Sequence, residues 1–381
     1  NGIINSPSDV SLSPDGKKIF FTVFATNKFE QYTLTVPFDI SSLDTSTKIE
    51  FDLNAGSDDV NLAQGHAFNS DGTKFFVVSK SAAATQLNAH SLSRPYDLSS
   101  DITQIADDGI DWVTAFSAGD GSVLAHDITF NNDGTKMYVV QSQSGQSTGN
   151  GTDKVLMYDL SIPYDVSTIT DNNVEQRIRF ACDGAGGSPS SGGGNFRAPG
   201  GVRFNNDGTK IFFTNRIDST NANDNCELTL TTPYDITTVK EDGSGNEVYK
   251  GFELEAGDTD VSDTGANDAF GLAFNNDGTR LFITHYSSVF KIYQFDLSTG
   301  FDLSTSKYND VSFSTNTDGS ETPTGIQFSK DGYQMFVVDH EDDSVYQWSL
   351  STAFDLSSTV RFRGTLNMLS DYQSHSEDTS S

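Results

Sequence analysis

Residues 130–140 read FNNDGTKMYVV, and the same pattern recurs five more times along the chain. In each copy a short alternating run leads into an Asp-Gly pair, and aromatic and β-branched residues follow it. This order is typical of two antiparallel strands joined by a tight turn, in which Asp accepts backbone N–H bonds and Gly adopts a positive φ. The pattern predicts six β-hairpins, with their Asp residues at Asp15, Asp71, Asp133, Asp207, Asp277 and Asp331.

A second motif, an aromatic residue followed by Asp, comes after each hairpin: Phe38-Asp39, Tyr96-Asp97, Tyr164-Asp165, Tyr234-Asp235, Phe301-Asp302 and Phe354-Asp355. We interpret it as a turn between a third and a fourth strand, the fourth being TKIEFDL or TVRFRGTL in the first and last units. Such sheets cannot each bury an apolar face alone, so they stack around an axis. The sequence therefore predicts an all-β fold, a six-bladed β-propeller of four-stranded antiparallel blades over residues 1–367, followed by a polar C-terminal tail at 368–381.

The widest spacings between hairpins, from Asp133 to Asp277, contain Gly, Ser and Asp tracts without strand character. We expect loops there and no seventh blade. Aromatic residues recur at equivalent strand positions and are expected to form the core between blades: Phe20, Phe76, Tyr138, Phe212, Phe282 and Phe336.

The segments SPDGKKIFF and NNDGTKMYVV resemble the Ser-Pro-Asp-Gly and Tyr-Val-Thr-Asn repeats of bacterial and archaeal surface propellers. Together with LSTAFDLSS they are most similar to the repeat arrays of marine bacteria and their phages. The resemblance reaches to about residue 367 and implies the propeller fold. It does not select a function, because propellers include enzymes, adhesins and scaffolds.

The charge of the chain argues against several partners. Lys and Arg number 23 against 53 Asp and Glu, a formal net charge of −30, and no basic stripe is present. Nucleic acid binding needs concentrated positive charge, so we exclude it, and no apolar run is long enough for membrane insertion. Residues 1–10 lack the pattern of a signal peptide, so we expect a mature chain or one exported by another route. High acidity suits an extracellular, cell-surface or virion location.

A propeller blade places its first and third turns on one end of the ring and its other connections on the opposite end. We call these ends the turn face and the loop face. The long, irregular segments of this sequence all belong to the loop face, and binding residues tend to lie on such loops. The candidate binding residues there are Asp183, Asn195, Arg216, Asp218, Asp258, Asp260, Asp263, Asp339, Glu341 and Asp342.

Cys182 and Cys226 are the two cysteines of the chain, and both are expected on the loop face in neighbouring blades. A disulfide between them is one hypothesis, and two separate thiols are the other.

A polar ring is expected at the mouth of the central channel, formed by Asp127, Asn215, Asp268, His285 and Asp339, with Asp9 nearby. It would hold either a metal or only water. Calcium is the candidate ion, with Asp258, Asp260 and Asp263 as candidate ligands and a solvated acidic loop as the alternative.

The leading functional hypothesis is a non-catalytic surface propeller, a structural or assembly subunit or an adhesion module that binds a protein partner through the loop face. The sequence contains no GxSxG or HExxH motif and no recognisable Ser/His/Asp grouping. One alternative is a calcium-dependent hydrolase, similar to the lactonase-type propellers, with its site at the channel mouth. Another is a lectin for cell-surface glycans, with Trp112, Phe116 and Tyr286 as its exposed aromatic residues.

Overall fold

The computed structural model describes residues 7–23, 26–54, 63–79, 87–105, 123–143, 154–169, 176–179, 202–214, 216–217, 225–240, 249–252, 267–285, 290–339 and 344–367. In these ranges six antiparallel sheets follow one another around a ring, as the sequence predicts. The chain is a six-bladed β-propeller. No helix in the described ranges is long and apolar enough to cross a membrane.

The four main strands of each blade come from one contiguous stretch of chain. Blade 1 contains β1 (Pro7–Leu12), β2 (Lys18–Val23), β3 (Lys28–Leu34) and β4 (Leu43–Asp52). Blade 2 contains β5 (Ala63–Phe68), β6 (Lys74–Ser79), β7 (Leu87–Leu92) and β8 (Ile102–Gln104). Blade 3 contains β9 (Val123–Phe130), β10 (Lys136–Gln143), β11 (Lys154–Asp159) and β12 (Gln176–Arg179).

The second half of the ring repeats this order with one addition. Blade 4 contains β13 (Val202–Phe204), β14 (Lys210–Thr214), β16 (Asn225–Thr229) and β17 (Tyr249–Phe252), while the short β15 (Arg216–Ile217) joins the next sheet. Blade 5 contains β18 (Asn267–Phe274), β19 (Arg280–His285), β20 (Lys291–Leu297) and β21 (Ser306–Ser314). Blade 6 contains β22 (Pro323–Phe328), β23 (Gln334–Asp339), β24 (Ser344–Leu350) and β25 (Val360–Asn367).

The two turn motifs of each blade interlock on the turn face. In all six blades the N–H of the aromatic residue donates to the carbonyl of the Asp-Gly glycine, over 2.7–2.9 Å. The aromatic residues themselves lie at φ values of 52–60°, and their rings cover the glycines so closely that a Cβ would stand 2.0–2.3 Å from a ring atom. The sequence-based expectation that both motifs share one face is confirmed.

Aromatic side chains join neighbouring blades. An aromatic ring on the second strand of one blade contacts the first strand of the next, with ring centroids 4.5–4.7 Å apart, in Phe20–Phe68, Phe76–Phe130, Tyr138–Phe204, Phe212–Phe274 and Phe282–Phe328. The six predicted core aromatics are all buried. Each cluster of buried apolar side chains combines residues of two neighbouring blades, so most of the apolar core lies between blades.

In four blades, a side chain on the third strand also forms a hydrogen bond with the next blade. The side chain accepts the backbone N–H that follows the aromatic-Asp pair of the next blade, in Gln31–Leu98, Glu227–Leu303, Gln294–Leu356 and Gln347–Ile40. We call these four contacts the latches. The last one connects blade 6 to blade 1, so it closes the ring.

Ring closure uses side chains and no exchanged strand among the described residues. β25 completes blade 6, as the sequence predicts for TVRFRGTL. Phe336, Val338 and Leu366 share one core cluster with Ile19 and Tyr32 of blade 1. Residues 2–5, which could have paired beside β25, lie outside the described ranges.

Candidate functional site

The first strands of the blades lie next to one another and surround the central channel. Two positions on them reach the channel. The first position is that of Asp9 in blade 1, and its equivalents are Gly65, Asp127, Gly271 and Gly325. The second position is that of Ser11 in blade 1, and its equivalents are Ala67, Thr129, Arg203, Ala273 and Gln327. The residues of the second set are all at least partly exposed, although they lie on the innermost strands. The residue between these two positions points to the opposite side of the strand, into the interface between blades. The wall of the channel is therefore polar in blades 1, 3 and 4, and Gln327 adds one polar residue in blade 6.

Asp9 begins this polar wall. Its Oδ1 accepts the N–H of Val10 and its Oδ2 accepts the N–H of His66, both over 2.8 Å. Burial within the ring raises the pKa of Asp9 to about 6, against the opposing effect of these two bonds and of the Arg203 charge. The side chain is nevertheless 32 % exposed, because it borders the channel. Asp9 can therefore exchange a proton with channel water close to neutral pH.

His66 connects Asp9 to a serine. The imidazole is fully buried, its Nε2 lies 2.7 Å from Ser11 Oγ, and its Nδ1 lies 3.1 Å from Asp9 Oδ2 and 2.8 Å from Thr22 Oγ1. Burial lowers the pKa of His66 to about 3, so the ring is neutral. An ionised Asp9 favours the tautomer with its proton on Nδ1, and that tautomer leaves Nε2 as an acceptor for the Ser11 hydroxyl.

Asp127 and Arg203 form the second part of the wall. Asp127 Oδ2 lies 3.6 Å from Arg203 Nη1, and its Oδ1 accepts the N–H of Ile128 over 2.8 Å. Burial raises the pKa of Asp127 to about 6, the Arg203 charge opposes this rise, and the Asp9 carboxylate adds to it. Arg203 keeps 53 % of its side chain exposed, so its guanidinium reaches the channel.

Gly65 separates the two carboxyls. A Cβ at Gly65 would stand 2.8 Å from the Asp127 Cα and 3.1 Å from Asp127 Oδ1. A side chain would therefore not fit between β5 and β9. Because Gly65 has no side chain, Asp9 and Asp127 lie at equivalent positions of the wall with no side chain between them. Their carboxyls are close enough for their charges to interact.

Two residues of the predicted channel ring lie elsewhere. His285 and Asp339 end second strands, one strand away from the channel, and both are buried. The Asp339 carboxylate accepts the hydroxyl of Ser320 and the N–H of Thr322, so it fixes the segment that leads into β22. The first strands, not the ends of the second strands, form the polar wall, because they lie nearest the axis.

The remaining predicted residues are only partly described. Arg216 and Asp268 are backbone partners in the β15–β18 ladder, so the structure brings these two predicted positions together. Cys226 is buried and disulfide-bonded. Outside the described ranges lie Cys182, Asp183, Asn195, Asn215, Asp218, Asp258, Asp260, Asp263, Glu341, Asp342 and the aromatic candidates Trp112, Phe116 and Tyr286. In the part of the chain that is described, no three His, Cys, Asp or Glu side chains are placed to hold a metal.

The Ser11–His66–Asp9 grouping was not recognised in the sequence. One signal could have found it. His66 occupies the interface position that is aliphatic in the other blades, as Val10, Ile128, Val202, Leu272 and Ile326. A polar residue in that position needs partners, and Asp9 and Ser11, which share one side of the preceding first strand, are two polar residues within its reach.

No family model matches the chain, and no curated protein matches it either. Solved structures match it at low identity. The periplasmic gluconolactonase PpgL of Pseudomonas aeruginosa is 14 % identical, with a TM-score of 0.55 over 95 % of this chain and 85 % of that one. Hydrazine synthase of Kuenenia stuttgartiensis is 12 % identical, with a TM-score of 0.52 over 91 % and 96 %. A protein from Lactobacillus plantarum is 13 % identical, with a TM-score of 0.52 over 94 % and 84 %. These similarities show the propeller fold.

Proposed function

We propose that the channel mouth of this propeller hydrolyses a small ester, with sugar lactones as the first class to test. The observation that carries the proposal is the polar wall itself. Asp127 and Asp9 both have pKa values raised to about 6; Asp127 lies 3.6 Å from the exposed Arg203 guanidinium, and the Arg203 charge also acts on Asp9. Raised carboxyl pKa values next to a charged partner are common in catalytic sites.

Each group has a chemical task in this proposal. The Arg203 guanidinium stabilises the negative charge that develops on the carbonyl oxygen during attack, a contribution that is typically worth about 10²–10³ in rate. Asp9 and Asp127 are able to take up and release protons close to neutral pH. The lactone class comes from the Pseudomonas gluconolactonase, whose fold this chain shares.

A lactone assay tests the proposal directly. Purified protein would be mixed with glucono-δ-lactone and a panel of other lactones, and acid release would be followed above the uncatalysed rate. We expect Arg203→Gln to lower kcat/KM by roughly 100-fold, while Ser91→Ala on an outer part of blade 2 leaves it unchanged. A panel that shows no rate above background would refute the proposal. A rate that disappears with a calcium chelator would instead support the calcium-dependent version of the hydrolase.

A second function has its own supporting observation, which is the difference between the two faces. The turn face consists of six short, interlocked turns. The strand ends on the loop face are joined by the long segments 106–122, 144–153, 180–201 and 253–266, which lie outside the described ranges. We propose that this face binds a protein partner or another copy of the chain, at a cell surface, on a virion or in another extracellular setting.

Light scattering after gel filtration tests self-assembly. The full chain and a chain that ends at Asn367 would be compared at several concentrations. Assembly predicts particles larger than one chain, and a shortened segment 144–153 should reduce them. Identical monomers throughout would remove self-assembly, and the protein partner would then be the remaining form of this proposal.

A further inference from the structure

We infer that Ser11, His66 and Asp9 form a nucleophilic centre, with Ser11 as the group that attacks the ester carbonyl. The inference rests on the proposed hydrolytic function and adds the attacking atom to it. It is carried by geometry, since Ser11 Oγ lies 2.7 Å from His66 Nε2, and His66 Nδ1 lies 3.1 Å from Asp9 Oδ2. Serine hydrolases place a hydroxyl, an imidazole and a carboxylate in this order.

The three residues come from two blades. Asp9 and Ser11 are two positions apart on β1, so their side chains point to the same side of the strand. His66 lies on β5 of the next blade and its imidazole spans the interface between them. Close fitting holds the ring, because it makes edge contact with Phe29 at 4.9 Å between centroids and bonds Thr22 over 2.8 Å. The base is therefore fixed before any substrate arrives.

The position of His66 supports a role beyond packing. Equivalent residues in the other five blades are aliphatic, so the fold itself does not require a polar group there. Burying an imidazole costs stability unless it forms hydrogen bonds. Among the described residues, the His66 ring bonds Ser11, Thr22 and Asp9, which all belong to blade 1. Ser11 is half-buried on the channel wall, so a small ester in the channel can reach its hydroxyl.

The reaction balances with water as its only co-reactant. Ser11 Oγ attacks the carbonyl carbon and forms an Oγ–C bond, while the hydroxyl proton moves to His66 Nε2. The C–O bond of the ester breaks, and the leaving oxygen takes that proton and becomes a hydroxyl group. Water then attacks the acyl carbon and gives a proton to Nε2. Finally the Oγ–C bond breaks, the carboxylic acid leaves, and the proton returns to Ser11.

A fluorophosphonate probe tests Ser11 without knowledge of the substrate. The intact protein would be treated with the probe, digested, and analysed by mass spectrometry. We expect one adduct, on Ser11, that forms at least roughly 100-fold more slowly in His66→Gln. Ser11→Ala should form none, and Ser91→Ala should react like the unchanged protein. Circular dichroism would show whether each variant keeps its fold. If His66→Gln does not fold, Asp9→Asn is the milder variant to use in its place.

The outcomes separate this inference from the proposed function. Lactone hydrolysis that survives fully in Ser11→Ala would overturn the nucleophile and leave the hydrolase in place. An adduct on Ser11 in a protein that cleaves no lactone would support the nucleophile and reject the substrate class. An unmodified Ser11, under conditions that label a reference serine hydrolase completely, would overturn the inference.

Discussion

Gly208 lies at φ 72°, and a Cβ there would stand 2.2 Å from ring atoms of Tyr234. The sequence predicted the first property, because Asp-Gly pairs in tight turns need a positive φ. It did not predict the second, because no local pattern reveals that the ring of a later turn covers the glycine. The left-handed φ of 60° at Tyr234 was also unexpected, and it is what places the ring over Gly208.

Gly208→Ala should therefore destabilise the protein through two effects. We expect a loss of about 3 kcal/mol in the free energy of unfolding, about 1 kcal/mol from the left-handed φ and the rest from displacement of the ring. Urea denaturation would measure it. Gly319→Ala is the matched control. Gly319 also has a positive φ, 99°, but a Cβ there would have no atom closer than the Tyr346 hydroxyl oxygen at 3.5 Å. Equal losses in the two variants would show that the ring contact contributes nothing.

Asp127 links the site to pH-dependent stability. Its pKa is raised from 3.8 to about 6, so between these values the folded state binds a proton that the unfolded chain releases. Stability from this group is therefore present at low pH and is lost as the pH rises through about 6. We expect Asp127→Asn to exceed the unchanged protein in stability by about 1–2 kcal/mol at pH 8 and to match it at pH 4, as measured by urea titrations.

Asp133 provides a control of opposite sign. Its pKa is lowered, first by the Thr135 hydroxyl and then by the Thr135 N–H, so its contribution is lost as the pH falls. Asp133→Asn should cost stability at pH 8 and little at low pH. A similar pH profile in both variants would contradict the assignment of these shifts. The raised pKa of Asp127 could not be predicted from the sequence, because it depends on burial and on the Asp9 carboxylate in another blade.

At the scale of elements, the latches show what the repeat could and could not predict. The sequence predicted the third strands on which Gln294 and Gln347 lie. It gave no indication that these amides reach the next blade, since the bond joins residues far apart in the chain. Gln347 closes the ring with two bonds, accepting from Ile40 N–H and donating to Phe38 O, each over 2.6 Å.

Gln347→Ala should cost more stability than Gln294→Ala. The first leaves a buried N–H and a carbonyl without their partner, at the seam between blades 6 and 1, where the two ends of the ring meet and the chain from residue 7 to residue 367 does not cross. The second removes one hydrogen bond, from Leu356 N–H. We expect losses of about 3 and about 1–2 kcal/mol, measured by urea denaturation. Equal losses would mean that the seam between the chain ends is no weaker than the others.

Gln347→Glu sharpens this comparison. Blade 4 uses a glutamate at the equivalent position, and Glu227 is paired with Lys210 Nζ at 2.8 Å. In blade 6 the residue equivalent to Lys210 is Gln334, which bonds Gln347 through its amide over 2.7 Å. A buried carboxylate at 347 would lack a cation, so this variant should also be destabilised, although it keeps the acceptor for Ile40. Full stability would show that the acceptor alone is sufficient.

At the scale of the molecule, the number of blades followed from the repeat, but the mode of closure did not. The sequence placed a complete fourth strand, TVRFRGTL, in the last unit and left residues 2–5 without an assignment. In the structure the four main strands of each blade form one contiguous segment, and only the short β15 joins a neighbouring sheet among the described residues. The described contacts at the seam between blades 6 and 1 are made by side chains, as in the core clusters between the other blades. The site shows the same division. Asp9 and Asp127 were expected near the channel, whereas the grouping with Ser11 and His66 depends on contacts between blades.

Closure by side chains predicts that the ring tolerates new chain ends at another seam. A circular permutant would join residue 367 to residue 7 and open within 106–122, between blades 2 and 3. The joining segment needs no more than the length of 53–62, which already connects the last strand of blade 1 to the first strand of blade 2. We expect a folded protein that melts within a few degrees of the original, as measured by circular dichroism and calorimetry. A second permutant opened at Gly134, inside the β9–β10 hairpin, should be much less stable, because it separates strands of one blade. Equal stability of the two permutants would mean that blades are not the units from which this ring is assembled.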